Sequence, residues 1–272
     1  MENNWVAPRM TDGLGNRLFQ ISAAISVAEK MKRKTIILLP RYLKIGHGVY
    51  DLVFQLCPQV PVIETANSWI QVDEKLEIPE TDKGIVLKGY FQNTNYFPDW
   101  KHPLLPKLPE QLLKPVTNKV AIHFRFGDYC FLHHHTLPFG KYYMKAINQF
   151  PKDTEFLLFS DSPEKLIPIE YELLAKGYSV SCAEPMEVLE TLLEIASCAG
   201  GFIGGNSTFS WWSAFLSWKS QNFSSKYIAY FPDIWMPQDG QSPENKPNLF
   251  TLPFTKSLNL DGESKLETFT YR

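Results

Sequence analysis

Val116-Thr-Asn-Lys-Val-Ala-Ile-His-Phe-Arg-Phe-Gly-Asp-Tyr129 begins as a strand, Val116 to Phe124, and ends as a turn. Downstream of Tyr129 the chain alternates between two hydrophobic periods. After a loop through Pro138, a helix is expected over Phe139 to Phe150 and a strand over Glu155 to Ser160. Lys165 to Lys176 then reads as a helix. So does Glu187 to Ala199, where Val188, Leu189, Leu192, Leu193 and Ala196 form an apolar face. Gly201 to Gly204 is a short strand, Ser210 to Trp218 a helix and Tyr227 to Phe231 a strand; beyond Pro237 the chain is polar and proline-rich, and irregular structure is expected.

The same alternation holds upstream. Leu18, Ile21, Ile25 and Ala28 recur at three- and four-residue steps, which predicts a helix from Asn16 to Arg33. Thr35 to Leu39 is a continuous apolar run, as in a buried parallel strand, and Pro40 ends it. Val60 to Val62 and Gly84 to Phe91 are further strands. Five prolines between Pro98 and Pro115, with no periodicity, mark a linker. The class is therefore α/β, in two halves, 1–115 and 116–272, with ligand expected at strand C-terminal ends.

Composition narrows the function. Hydrophobic residues at 44% supply a sizeable core, and a net charge of -2 gives no reason to expect nucleic acid or an anionic membrane as partner. The polar Met-Glu-Asn-Asn-Trp start shows no signal peptide, and no apolar run reaches the ~18 residues of a membrane span, so a cytoplasmic location is expected. Cys57, Cys130, Cys182 and Cys198 have no CxxC spacing and are read as reduced. There is no Asp-x-Asp to hold a metal on a nucleotide-sugar. His133-His134-His135 cannot easily converge on one ion, so no metal is expected, and His134 is read instead as a hydrogen-bonding residue on the acceptor side.

Three segments can carry chemistry. Asp12-Gly13-Leu14-Gly15-Asn16-Arg17 is a glycine turn before a helix, suited to a phosphate or an approaching sugar, or else a tight turn with Asn16 capping the helix. In His123-Phe-Arg125-Phe-Gly127-Asp128, the guanidinium of Arg125 can grip a pyrophosphate, with Asp128 orienting it or acting as a base, or the two form a structural pair. In Gly204-Gly-Asn206-Ser207-Thr208-Phe209-Ser210-Trp-Trp212, two glycines lead from a strand into a helix whose start is rich in small polar residues. That is a second oxyanion site, or a capped helix with core tryptophans.

Together these segments resemble the α1,2-fucosyltransferases of glycosyltransferase family eleven. Gly13 to Ala24 matches the family's opening turn and alanine-rich helix. Gly89-Tyr90-Phe91-Gln92 with Tyr96-Phe97, Leu137-Pro138 with Tyr142-Tyr143, Phe159-Ser160-Asp161 and Asn206 to Trp212 match in the same order. His123 to Tyr129 matches its His-x-Arg-Arg-Gly-Asp-Tyr pattern except that Phe126 replaces the second arginine. The resemblance implies a GT-B-like fold, with GDP-β-L-fucose as donor, inversion at the anomeric carbon, a glycan acceptor and no metal cofactor. It implies donor binding by Gly13, Leu14, Gly15, Asn16, Arg17, His123, Arg125, Asn206, Ser207, Thr208 and Phe209, with Glu190 or Thr191 near the guanine. Arg125 and Asn16 would be catalytic, with Asp128 and Asp12 as candidate bases and Tyr90, Gln92 and His134 on the acceptor side. A second cation would come from Arg17, Lys88 or Lys141, or the sugar would differ. The alternatives are a transferase for another activated sugar and an inactive sugar-binding module.

Overall fold

The computed structural model describes residues 3–39, 50–64, 66–127, 137, 139–236, 246–247 and 251–259. The chain divides into two compact units, Met1–Pro109 and Glu110–Arg272, and the division falls inside the proline-rich segment. Each unit is built on an all-parallel sheet, giving the two Rossmann-like halves of the expected α/β class.

Unit 1 contains β1 (Trp5–Pro8), α1 (Leu14–Lys30), β2 (Lys34–Thr35), β3 (Ile37–Leu38), α2 (Tyr50–Leu56), β4 (Val62–Ile63), β5 (Trp69–Asp73) and β6 (Gly84–Lys88). Its main sheet runs β2-β1-β6-β5, and β3 pairs with β4 in parallel. Alternate residues explain why both faces are covered. Val6, Ile85 and Leu87 pack with Ala23, Ala24, Val27 and Ala28 of α1. Trp5, Ala7 and Val86 point the other way and pack with Ile36. The strand expected over Thr35 to Leu39 is split between β2 and β3, which pair with different partners. The strand expected to reach Phe91 stops at Lys88. Gly89 at φ 152° and Phe91 at φ 53° turn the chain out of the sheet, and a Glu74 carboxylate oxygen accepts hydrogen bonds from the N–H groups of Tyr90 (2.9 Å) and Phe91 (3.0 Å).

Unit 2 contains β7 (Val120–Phe124), a π-helical turn (Phe139–Tyr143) running into α3 (Met144–Ile147), β8 (Glu155–Ser160), α4 (Leu166–Ala175), β9 (Ser179–Cys182), α5 (Val188–Ser197), β10 (Gly201–Gly204), α6 (Thr208–Ser220), β11 (Ala229–Pro232), β12 (Ile234–Met236), β13 (Lys246–Pro247) and β14 (Thr255–Leu258). The six-stranded sheet runs β14-β11-β10-β7-β8-β9. It reverses direction between β7 and β10, as in a doubly wound sheet: from β7 the chain builds outward through β8 and β9, then returns to the other side of β7 for β10, β11 and β14. The irregular tail expected beyond Pro237 is thus corrected in part, because β14 closes one edge of this sheet.

The core of unit 2 joins Val120, Ile122 and Phe124 of β7 to Phe156, Leu158, Ile203, Tyr142 and Tyr143. The hydroxyl of buried Tyr142 lies between two carbonyls, Gly204 O (2.5 Å) and Tyr230 O (3.0 Å), and so fastens the carboxyl end of β10. Trp211, Trp212, Phe215 and Trp218 of α6 are buried, so the tryptophans of this segment serve the core, as one of its two readings held. No helix of the described residues is long and apolar enough to cross a membrane.

Candidate active site

In a doubly wound sheet, loops that leave neighbouring strands toward opposite faces open a crevice at the carboxyl edge. The β7/β10 reversal point of unit 2 puts Arg125, one residue past β7, beside the Gly205-Asn206-Ser207 link from β10 to α6. Two of the three segments singled out in the sequence therefore meet there, although about eighty residues separate them.

Arg125 Nη1 lies 2.6 Å from Asp161 Oδ2, and the two side chains are 34% and 22% exposed. Asp161 stands one residue past β8, the strand next to β7, with Phe124 paired to Ser160. Its other oxygen accepts the N–H groups of Phe126 (2.8 Å) and Gly127 (3.3 Å). A Cβ on Gly127 would lie 2.3 Å from Asp161 Oδ2, so a side chain there would push the carboxylate off its contact with Arg125. Asp161 thus both pairs with Arg125 and holds its turn. The orienting role expected of Asp128 has this partner; Asp128 itself lies outside the described residues, as do His134 and its two histidine neighbours.

Behind this pair, His123 is buried and its Nδ1 is hydrogen-bonded to Ser210 Oγ at 2.7 Å, joining β7 to α6. Its ring sits 5.2 Å from that of Phe209. His123 therefore supports the site from beneath. Asn206 is also buried, and its Nδ2 donates to Trp235 O (3.0 Å). Ser207 is the N-cap of α6, so the helix begins at Thr208, two residues earlier than expected, and the Ser207 side chain makes no capping bond. The first helical bond runs from Trp211 N to Ser207 O. The N–H groups of Thr208, Phe209 and Ser210 precede that bond, and the positive end of the helix dipole faces the same edge. A guanidinium, a helix start and hydroxyl groups together suit a diphosphate. Glu190 belongs to a capping box with Glu187 at the start of α5, and Thr191 Oγ1 donates to Glu187 O (3.0 Å).

Unit 1 has its own reversal point, between β1 and β6. There the Asp12–Arg17 turn meets Gly89–Gln92. Gln92 Nε2 donates to Asn16 Oδ1 at 2.8 Å. Gln20 binds both loops at once, accepting from Thr11 N (2.9 Å) and donating to Gly89 O and Thr11 Oγ1 (both 3.0 Å). The expectation that Asn16 caps α1 is corrected: Gly13 is the N-cap, and Asn16 lies inside the first turn. Asp12, in the left-handed region at φ 61°, accepts a hydrogen bond from Tyr90. Burial and Asp12 both push the Tyr90 hydroxyl pKa upward. Half-exposed Tyr90 is thus a ring held at this edge, and space beside Gly13 is open where a Cβ would sit. Leu14 is half-buried and Gly15 buried, while Arg17, at 1% exposure, is inside the unit. Sequence reading meets Asp161, Ser210 and Gln20 only inside matched segments and assigns them no role, and it does not single out Glu74. Each acts through a neighbouring strand or loop that only the sheet order brings near.

Among the described residues no group of three His, Cys, Asp or Glu side chains converges as metal ligands. An alpha-1,2-colitosyltransferase of Escherichia coli is 30% identical to this chain over 145 residues, 47% of this chain and 50% of that protein. The match thus spans about half the length of that curated relative. Solved structures of NodZ alpha-1,6-fucosyltransferase, one co-crystallised with GDP and one from Bradyrhizobium, superpose on 78% of this chain and 92% of theirs, at 14% identity and a TM-score of 0.48. The model of glycosyl transferase family 11 matches residues 86–229, just over half of the chain. That segment contains Arg125, Asp161 and the start of α6, and the chain belongs to this family.

Proposed function

We propose that this chain is an inverting, metal-independent glycosyltransferase that moves L-fucose from GDP-β-L-fucose to a glycan hydroxyl, forming an α1,2 linkage. The carrying observation is the Arg125–Asp161 pair beside the α6 N-terminus, at one reversal point within the segment matched by the family. In the proposed reaction the acceptor oxygen bonds to C1 as the bond from C1 to the β-phosphate oxygen breaks. The electron pair leaves with GDP, whose growing charge Arg125 and the helix start stabilise. The hydroxyl proton passes to a base, for which Asp12 and Asp128 are the candidates, with a contribution of roughly 10²- to 10⁴-fold. Tyr90 and Gln92 are assigned to the acceptor side, and a cytoplasmic location belongs to the same proposal.

The curated relative favours one second reading. Colitose is L-fucose without its 3-hydroxyl, so the two donors differ by a single oxygen. The deciding experiment offers GDP-L-fucose, GDP-colitose, GDP-mannose and UDP-glucose to the chain, with and without EDTA. Turnover of GDP-L-fucose that resists EDTA and exceeds that of the other three supports the proposal. Preference for GDP-colitose replaces the sugar and keeps the mechanism, whereas loss of turnover in EDTA removes metal independence.

Asp161 offers a sharper test of the geometry. Asp161→Ala removes the acceptor that holds the Phe126 and Gly127 N–H groups and is expected to lower kcat/KM for the donor ~10-fold. In Asp161→Asn the amide Oδ1 can still accept both of those bonds, and the charge of Arg125 is left uncompensated toward the phosphates. It is expected to lower kcat/KM less than Asp161→Ala does. Equal losses in both variants would show that the carboxylate does not act through the turn.

A further inference from the structure

Each unit carries a carboxylate at the same place in its sheet. In unit 2, Asp161 stands one residue past β8 and accepts the N–H groups two and three residues past the end of β7, where Phe124 and Ser160 are paired. In unit 1, Glu74 stands one residue past β5 and accepts the N–H groups two and three residues past the end of β6, where Lys88 and Asp73 are paired. In both units the clamped loop leaves its strand beside the reversal point of the sheet, where ligand crevices form.

Resting on the assignment of Tyr90 and Gln92 to the acceptor side, we propose that Glu74 is a positioning residue for the acceptor sugar: its carboxylate shapes the turn that presents the Tyr90 ring. Its Oε2 accepts from Tyr90 N at 2.9 Å and from Phe91 N at 3.0 Å, so one atom sets the direction of two successive peptide planes. The turn departs from ordinary backbone on both sides of Tyr90. Gly89 is at φ 152°, and a Cβ there would lie 2.5 Å from Glu74 Cβ, so glycine lets the carboxylate come this close. Phe91 is at φ 53°, a region that residues with a Cβ seldom adopt. Its buried ring is held edge-on against Tyr96, with centroids 5.1 Å apart.

With Phe91 anchored inward, Tyr90 is left half-exposed, and its hydroxyl is tied to Asp12. The next residue, Gln92, reaches Asn16. An aromatic ring of this kind packs its face on the C–H face of a pyranose, while oxygens beside it accept the sugar hydroxyls. Asp12 is a candidate base, so the tilt of the ring also decides how near that base the acceptor hydroxyl comes. Glu74 acts on both through the backbone.

The test measures transfer from GDP-L-fucose to lactose, a galactoside probe of the acceptor side, with calorimetric titration of GDP alongside. The whole chain is used, as wild type, Glu74→Gln, Glu74→Ala, Glu74→Asp and Tyr90→Ala. Glu74→Ala is expected to raise KM for lactose about tenfold and to leave GDP affinity unchanged. Glu74→Asp withdraws the carboxylate by one methylene and should shift KM the same way, which keeps the test open should the alanine variant not fold. Glu74→Gln keeps an oxygen that can accept both N–H groups and should restore KM to near the wild-type value. Equal rises in Glu74→Gln and Glu74→Ala overturn the role, because the turn is then not what the carboxylate supplies. A fall in GDP affinity parallel to the rise in KM makes Glu74 structural and also overturns it. A raised KM in Tyr90→Ala, with wild-type KM in Glu74→Ala, overturns Glu74 and leaves the acceptor assignment standing. Wild-type KM in Tyr90→Ala, or no transfer to lactose by the wild-type chain, overturns that assignment and this inference together.

Discussion

Arg125→Ala is expected to lower kcat/KM for the donor by ~10²- to 10³-fold, the range for removing one group that stabilises developing negative charge. Two effects add. The leaving diphosphate loses its charge-assisted partner. The Asp161 carboxylate, still held by the N–H groups of Phe126 and Gly127, now faces the anion without a counter-charge. The second effect is electrostatic across a partly solvated gap, so salt screens it. Arg125→Ala should therefore recover part of its loss at high ionic strength, and the Arg125→Ala, Asp161→Ala double variant should fall short of the sum of the single losses. The fold is not at stake: with side chains 34% and 22% exposed, the pair contributes about 0–1 kcal/mol after solvent screening. Steady-state kinetics at two salt concentrations, with a thermal melt, decide the matter. A loss below tenfold at low salt would mean that the leaving group is stabilised elsewhere.

The elements legible in the sequence are those whose burial is local and periodic. α1, β7, β8, α5, β10 and α6 carry apolar residues at helical or strand spacing and appear within a few residues of where that spacing puts them. Those not anticipated lack such a signal for identifiable reasons. β1 is a four-residue run ending in Pro8, after a polar start, and both of its faces are buried, so it shows no alternation. Ser179–Cys182 and Thr255–Leu258 are the edge strands of the second sheet, bury little and carry few apolar residues. At the site, Arg125 and the Asn206–Ser207 turn were readable because each sits where a strand gives way to a turn or helix. Asp161 was visible only as part of a family pattern. Its role depends on β8 lying next to β7, and a sequence does not state which strands are neighbours. The same non-local step separates Gln20 from Gly89 and His123 from Ser210.

The His123–Ser210 tie should make the fold acid-sensitive in a defined window. Burial drives the imidazole pKa from 6.5 down to about 4, with the nearby Asp161 charge opposing the fall and that of Arg125 adding to it. Between those values the unfolded chain binds a proton that the folded chain refuses, so stability rises with pH. The contribution is complete above about pH 6.5, declines as pH falls toward about 4 and levels off below. At about 1.4 kcal/mol per pKa unit the full loss is on the order of 3 kcal/mol. Urea unfolding of wild type and His123→Gln across this window isolates the term, since glutamine can bond Ser210 but does not titrate. The wild type should lose unfolding free energy relative to His123→Gln steadily with acidification, whereas parallel curves would mean that another group carries the slope. Charging His123 would also place a second cation behind Arg125, in contact with the first turn of α6. Because the folded chain keeps His123 neutral down to about pH 4, donor affinity is expected to hold across the window in which stability declines and to change only at its lower end, where the ring that ties the strand end to the helix start takes up its proton.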